Sequence, residues 1–187
     1  MHQFMNRLPR RSKTLIIKWF LKRKSIKFDG IPSFSGRWPD INNEGKISIG
    51  VNCCFRSFRL RQHITVCKNA ELEIGDHSFL NDGVNICATQ SITIGHHAKI
   101  GDMTYIYDTD FHELSPDTPI RHAPVSIGNN VWIGANSMIL PGAVIGDHSV
   151  IAAGSIVTGE IPAKSLAAGS PARLIKTLNV PDGWLRK

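Results

Sequence analysis

The string "DTDFHE" at 108–113 gathers one imidazole, His112, among three carboxylates, Asp108, Asp110 and Glu113. A neutral imidazole, with an ordinary pKa near 6.5, is suited to accept a proton from a hydroxyl as that oxygen becomes a nucleophile. A neighbouring carboxylate or carbonyl would fix its tautomer. The competing reading is a solvated loop histidine, the ordinary lot of any one of the chain's eight. His96 and His97, which follow Gly95, read as solvated turn residues. The four cysteines (Cys53, Cys54, Cys67, Cys87) lack CxxC spacing and a histidine at ligand intervals. They read as buried, reduced thiols, with no metal site.

The elements that must position His112 declare themselves by period. Aliphatic residues fall at Ile127, Ile133, Ile139, Ile145, Ile151 and Val157, always six apart. Two residues before each stands a small or aliphatic one: Val125, Val131, Ser137, Ala143, Ser149, Ser155. Residues two apart on a strand share a face, so each hexad turns one small and one branched side chain inward. Gly128, Gly134 and Gly146, each followed by Asn, Ala or Asp, suit tight corners. Each hexad is therefore a short strand plus a turn, and hexads must stack to bury the inner face. The pattern recurs at Ile74, Leu80 and Ile86, then after a two-residue slip at Ile94, Ile100 and Ile106, and fades toward Ile49 and Phe55. This predicts a mainly β protein, a parallel β-helix. A β-sandwich would not hold a six-residue period through six consecutive units.

Between Ile106 and Ile127 lie 21 positions, where three hexads would take 18, and inward alternation is lost. Pro116, Pro119 and Pro124 lack the donors a regular strand requires. The segment 107–124 must leave the prism as a loop, and loops on rigid scaffolds are where chemistry tends to sit.

The run "VSIGNNVWIGANSMILPGAVIGDHSVIAAGSIVTGEIPAKSLAAGSPARLIK" resembles the hexapeptide-repeat acyltransferases, in the branch of galactoside, maltose and polysaccharide O-acetyltransferases. The resemblance spans about residues 70–178. It implies a left-handed coil, although general crossover rules would favour a right-handed one. It also implies an acetyl-CoA donor and a homotrimer with active sites between neighbouring prisms; the expected fold further includes a short C-terminal helix, and no metal is expected. His112 matches the placement of the family's catalytic histidine. Asn81 falls on the asparagine that contacts the acceptor hydroxyl; an asparagine tolerating a left-handed corner is the other reading. The family's acidic acceptor ligand falls on Thr89, so the acceptor is not expected to bind as a simple galactoside. For Asp110, substrate contact, histidine orienter and loop-turn residue all stay open, because "DTDFH" carries one residue more than its relatives.

For the donor, the resemblance implicates Trp132, Gly134, Ala135, Ala153 and Thr158 along the pantetheine arm, then Arg173 and Lys176 at the phosphates. Many relatives carry Arg at 176; Lys offers a point charge without the bidentate fork. Ala135 replaces a Ser found in some. The small residues at 134 and 153 are also what the repeat itself requires.

The net charge of +7 does not spread over the body. Residues 1–27 hold nine Lys or Arg (Arg7, Arg10, Arg11, Lys13, Lys18, Lys22, Arg23, Lys24, Lys27) and no acid; the rest carries 13 basic and 15 acidic side chains. That distribution argues against a nucleic-acid groove. The apolar run "LIIKWFL" is far short of the ~20 residues a bilayer span needs. Two roles are open for a helix in this segment: capping the open end of the coil, or lying on anionic lipid at the inner face of the membrane. The expected organisation is a basic segment at 1–27, the β-helix domain at 28–178 and a tail at 179–187, in a cytoplasmic protein.

The expected function is acetyl transfer from acetyl-CoA to a sugar hydroxyl in surface polysaccharide or lipopolysaccharide biosynthesis. N-acetylation of a nucleotide-linked amino sugar is the alternative. A catalytically silent scaffold would lack both the histidine loop and "SPARLIK"; both are present.

Overall fold

The computed structural model describes residues 9–186; residues 1–8 of the basic segment, with Arg7, and Lys187 of the tail lie outside the described residues. A helix, Arg10–Arg23, leads into a parallel β-helix whose strands form three faces, denoted A, B and C in the order the chain visits them. Face A has seven strands, face B eight and face C six. The predicted columns are those observed. Ile74, Ile94, Ile127 and Ile145 stack inside face A. Leu80, Ile100, Ile133 and Ile151 stack inside face B, and Ile86, Ile106, Ile139 and Val157 inside face C. All twelve are essentially buried. The fading repeat near the N-terminus is still coil: Phe55 pairs with Leu80 and Ile64 with Ile86.

The corners explain both the period and its breaks. Every A-to-B connection is four residues long until the last: 29–32, 50–53, 75–78, 95–98, 128–131, 146–149. These turns are tied to one another by side chains. Val51 N–H donates to Asp76 Oδ1 (2.8 Å), Asp76 N–H to His96 Nδ1 (2.9 Å), His96 N–H to Asn129 Oδ1 (2.8 Å), and Asn129 N–H to Asp147 Oδ1 (2.6 Å). His96 is thus exposed, as expected, but also a rung of this ladder. At the third turn position His77, His97, Asn130 and His148 all adopt positive φ, and the His77 and His97 rings stack at 4.7 Å. The C-to-A connections obey no such length. They run from two residues (89–90, the slip in the repeat) to seventeen (108–124).

The helix packs Leu21, Ile17 and Phe20 onto the first coil, and Phe20 makes edge contacts with Phe34 (5.9 Å) and Trp38 (4.9 Å). The capping role is therefore realised. The expected C-terminal helix is not. Ala172–Thr177 is a strand that runs antiparallel to Ser165–Gly169, and residues 178–186 hold no helix. The chain reverses at Gly169 (φ +104) and Pro171, and the final segment satisfies the otherwise open backbone edge of face B.

Candidate active site

Outward-facing residues on face B form a continuous rung: Trp132 is registered to Val150, Val150 to Leu166, and Leu166 to Lys176. Beside that rung, at the B-to-C corner, a groove of about 520 Å³ is bounded by Asn81 and Asp102 at one end and by Trp132, Gly134, Ala135 and Ala153 along it. Its walls are otherwise apolar, through Val150, Ile151 and Leu166. The structure thus brings together five of the residues singled out in the sequence. Gly134 is small for a structural reason too: a Cβ there would run into the backbone of Ala152 and Ala153. Arg173 and Lys176 lie on the last strand of the same face, both exposed. Thr158 does not join them; it follows the strand Ile156–Val157 on face C, away from the groove.

Asn81 has no left-handed backbone; the positive φ of that corner belongs to Gly83. Its placement comes from neighbours the sequence did not announce. Gln62, fully buried, donates through Nε2 to the carbonyls of Leu80 (2.8 Å), Asn81 (3.0 Å) and Arg56 (3.2 Å). Asp82 Oδ1 accepts the Arg59 and Leu60 N–H groups (2.8 and 3.2 Å). Asp102 is the unforeseen wall of the groove. Its Oδ2 pairs with Arg59 at 2.9 Å, while its Oδ1, like Asn81 Oδ1, is buried with no partner among the described residues. Two unsatisfied acceptors at the end of an apolar groove suit a ligand that brings N–H or O–H donors. The only sequence signal for Asp102 was its position after a corner Gly.

His112 is elsewhere. Its loop leaves from the strand Tyr105–Tyr107 on face C and returns to face A, so the full width of face C separates its corner from the groove. The loop is anchored at its base: Thr109 bridges His122, and Asp110 N–H donates to the Arg121 carbonyl (3.1 Å). Asp108 is buried and turned inward. Its carboxylate accepts Thr89 N–H (2.7 Å), Thr89 Oγ1–H (2.8 Å) and Gln90 N–H (2.7 Å). His122 Nδ1 lies 2.9 Å from the same Thr89 hydroxyl. A carboxylate therefore meets residue 89 after all, supplied by the loop rather than by the residue itself. Phe111 takes a positive φ (63°), costly for a bulky side chain, and its ring stacks edge-on with Tyr107 at 5.2 Å. Beyond it the His112 and Asp110 side chains project into solvent, bonded to no described residue; His112 N–H donates to the Asp110 carbonyl (2.8 Å). The cysteines are free thiols, as expected, but of the four only Cys53 is fully buried; Cys54, Cys67 and Cys87 are half-buried. Burial pushes the Cys87 thiol up to about 11, so it is protonated and unreactive at neutral pH.

Comparison with known proteins places this geometry. Residues 124–159 match the family model for the bacterial transferase hexapeptide (six repeats). Over 151 residues the chain is 32% identical to the putative lipopolysaccharide biosynthesis O-acetyl transferase WbbJ of Escherichia coli, spanning 74% of this chain and 76% of that protein. The chain belongs to the hexapeptide-repeat acetyltransferase family. It is also 40% identical over 116 residues to the galactoside O-acetyltransferase of Escherichia coli, matching 60% of this chain but only 57% of that enzyme's length. Among solved structures, the hexapeptide-repeat acetyltransferase VCA0836 of Vibrio cholerae, complexed with acetyl coenzyme A, superposes with a TM-score of 0.62 at 26% identity, covering 96% of this chain and 84% of that one.

Proposed function

We propose that this protein transfers acetyl from acetyl-CoA to a hydroxyl of a sugar acceptor, as a step in assembling a surface polysaccharide or lipopolysaccharide. The observation that carries the reading is the groove on face B. Asn81 stands at one end, small residues and apolar walls run beside it, and the cations Arg173 and Lys176 lie on the closing strand of the same face. A thioester-bearing arm with phosphates at its far end has that sequence of chemical demands. The names and bound donors of the relatives point the same way.

In the proposed reaction the imidazole of His112 takes the proton of the acceptor hydroxyl while its oxygen attacks the thioester carbonyl. Asn81 holds the acceptor or the developing oxyanion. Collapse expels the CoA thiolate, which recovers the proton from the imidazolium, and no acyl-enzyme forms. Within one chain His112 stands across face C from the groove. The proposal therefore includes a homotrimer in which the His112 loop of one protomer completes the groove of the next. Contact of the basic N-terminal segment with the inner face of a membrane is part of the same proposal.

The test is His112→Ala. General-base help is worth roughly 10²–10⁴-fold, so transfer to a sugar panel, followed by mass spectrometry, should fall by at least about 10²-fold. Calorimetric binding of acetyl-CoA should be unchanged. Turnover near the unsubstituted level would overturn the assignment, and products acetylated only on nitrogen would move the acceptor to amino sugars.

A further inference from the structure

The N-terminal helix has two faces. The inner one caps the coil. The outer one carries Arg11, Leu15, Lys18, Trp19 and Lys22, the i, i+4, i+7, i+8 and i+11 positions of a single stripe. Leu15 is 67% and Trp19 60% exposed, large apolar side chains held out among cations. Arg23 lies over the Trp19 ring at 5.4 Å. The helix contains no acid, and its first turn carries Arg11 near the positive end of the helix dipole, where a cation costs stability. A sequence selected only to cap the coil would not need that arrangement.

Behind the stripe is an apolar notch of about 250 Å³ between the helix and the first coil. Ile16, Phe20, Trp38 and Ile41 line it, and Lys24, Arg61 and one acid, Asp40, border it; the Asp40 carboxylate lies 3.7 Å from His63 Nδ1. Arg61 belongs to the five-residue corner 58–62, which also presents Phe58 (55% exposed) and Leu60 (46%). An apolar recess bordered by two cations and a single acid, beside a basic face with protruding Leu and Trp, complements one kind of ligand: the acyl chain and phosphate headgroup of an anionic lipid.

We propose that this end of the molecule docks on an anionic bilayer, with Leu15 and Trp19 inserted, basic residues of the helix on the headgroups, and the notch taking a lipid chain with its phosphate between Lys24 and Arg61. This docking deepens the membrane contact included in the proposed function and rests on it, and its failure is distinguishable from failure of the transferase reading because it involves none of the groove residues.

The full-length protein would be floated with vesicles of phosphatidylcholine alone or containing about one third phosphatidylglycerol. The expected result is binding to the anionic vesicles only, weakened about tenfold or more by Leu15→Ser with Trp19→Ser. Arg61→Gln with Lys24→Gln should weaken it independently. All four side chains are exposed or at the rim, and unchanged thermal melting would show that the variants fold. Acetyl-CoA binding should stay intact in each, separating loss of docking from loss of the donor site. Equal binding to neutral vesicles, no binding to anionic ones, or binding unaffected by the double serine variant would overturn the proposal. So would a change in assembly mass in that variant, because the stripe would then be a contact between chains.

Discussion

Asp108 turns both carboxylate oxygens onto residues 89 and 90 of the coil below and meets no solvent. The loop that carries His112 is thus tethered four residues before the histidine, at a fully buried charge with three donors. Asp108→Asn replaces one acceptor oxygen with an NH₂ group facing an N–H, and leaving a buried donor unmet costs about 1–3 kcal/mol. The expected outcome is faster proteolysis of the loop and a lower kcat, with KM for acetyl-CoA unchanged because no residue that lines the groove is altered. Steady-state kinetics beside limited proteolysis check this. Asp110, with its side chain in solvent, has the backbone role of a turn residue within the chain, and only a partner or substrate could give its carboxylate another.

Among the elements, the A-to-B corner is the most constrained. His97 sits there at φ 56°, stacked on His77. Burial first, then the neighbouring His77 and His96, holds its pKa below the ordinary 6.5. The folded protein therefore resists a proton that the unfolded chain accepts. Its contribution is neutral above about pH 6.5 and turns against folding as the pH falls through that value. His97→Asn keeps a residue tolerant of the left-handed backbone, as at Asn52 and Asn130. The melting temperature of the variant should fall less than the parent's between about pH 7.5 and 5.5, by differential scanning calorimetry at both values.

On the scale of the molecule, what could be read from sequence was what repeats. The aliphatic columns, the parallel stacking and the exit of the loop follow from a six-residue spacing that only stacked coils satisfy, and resemblance then named five residues of the groove. What could not be read depends on contacts between coils 19 to 43 positions apart. Asp102 reaches Arg59 across 43 positions, and Gln62 reaches Asn81 across 19, through pairings no local pattern encodes. The C-terminal segment is a strand and not the expected helix, because its six residues pair with the otherwise unpaired edge of face B, a partner no local pattern announces. Thr158, implied by resemblance alone, stands outside the groove of its own chain, because successive strands of one coil lie on three different faces and it follows the strand on face C.

The unequal corners make the fold a scaffold with one port. A-to-B turns are locked to four residues by the rungs running through Asp76, His96, Asn129 and Asp147, while the C-to-A corner already accommodates connections of two to seventeen. A short glycine-serine passenger grafted at the exposed tip near Pro116 should leave the melting temperature almost unchanged. The same graft after His97 would cut the ladder and misregister the coils above it, which circular dichroism would register as a broadened, lowered transition. Diversification of such chains, in nature or in the laboratory, is accordingly channelled to the one edge that also carries His112.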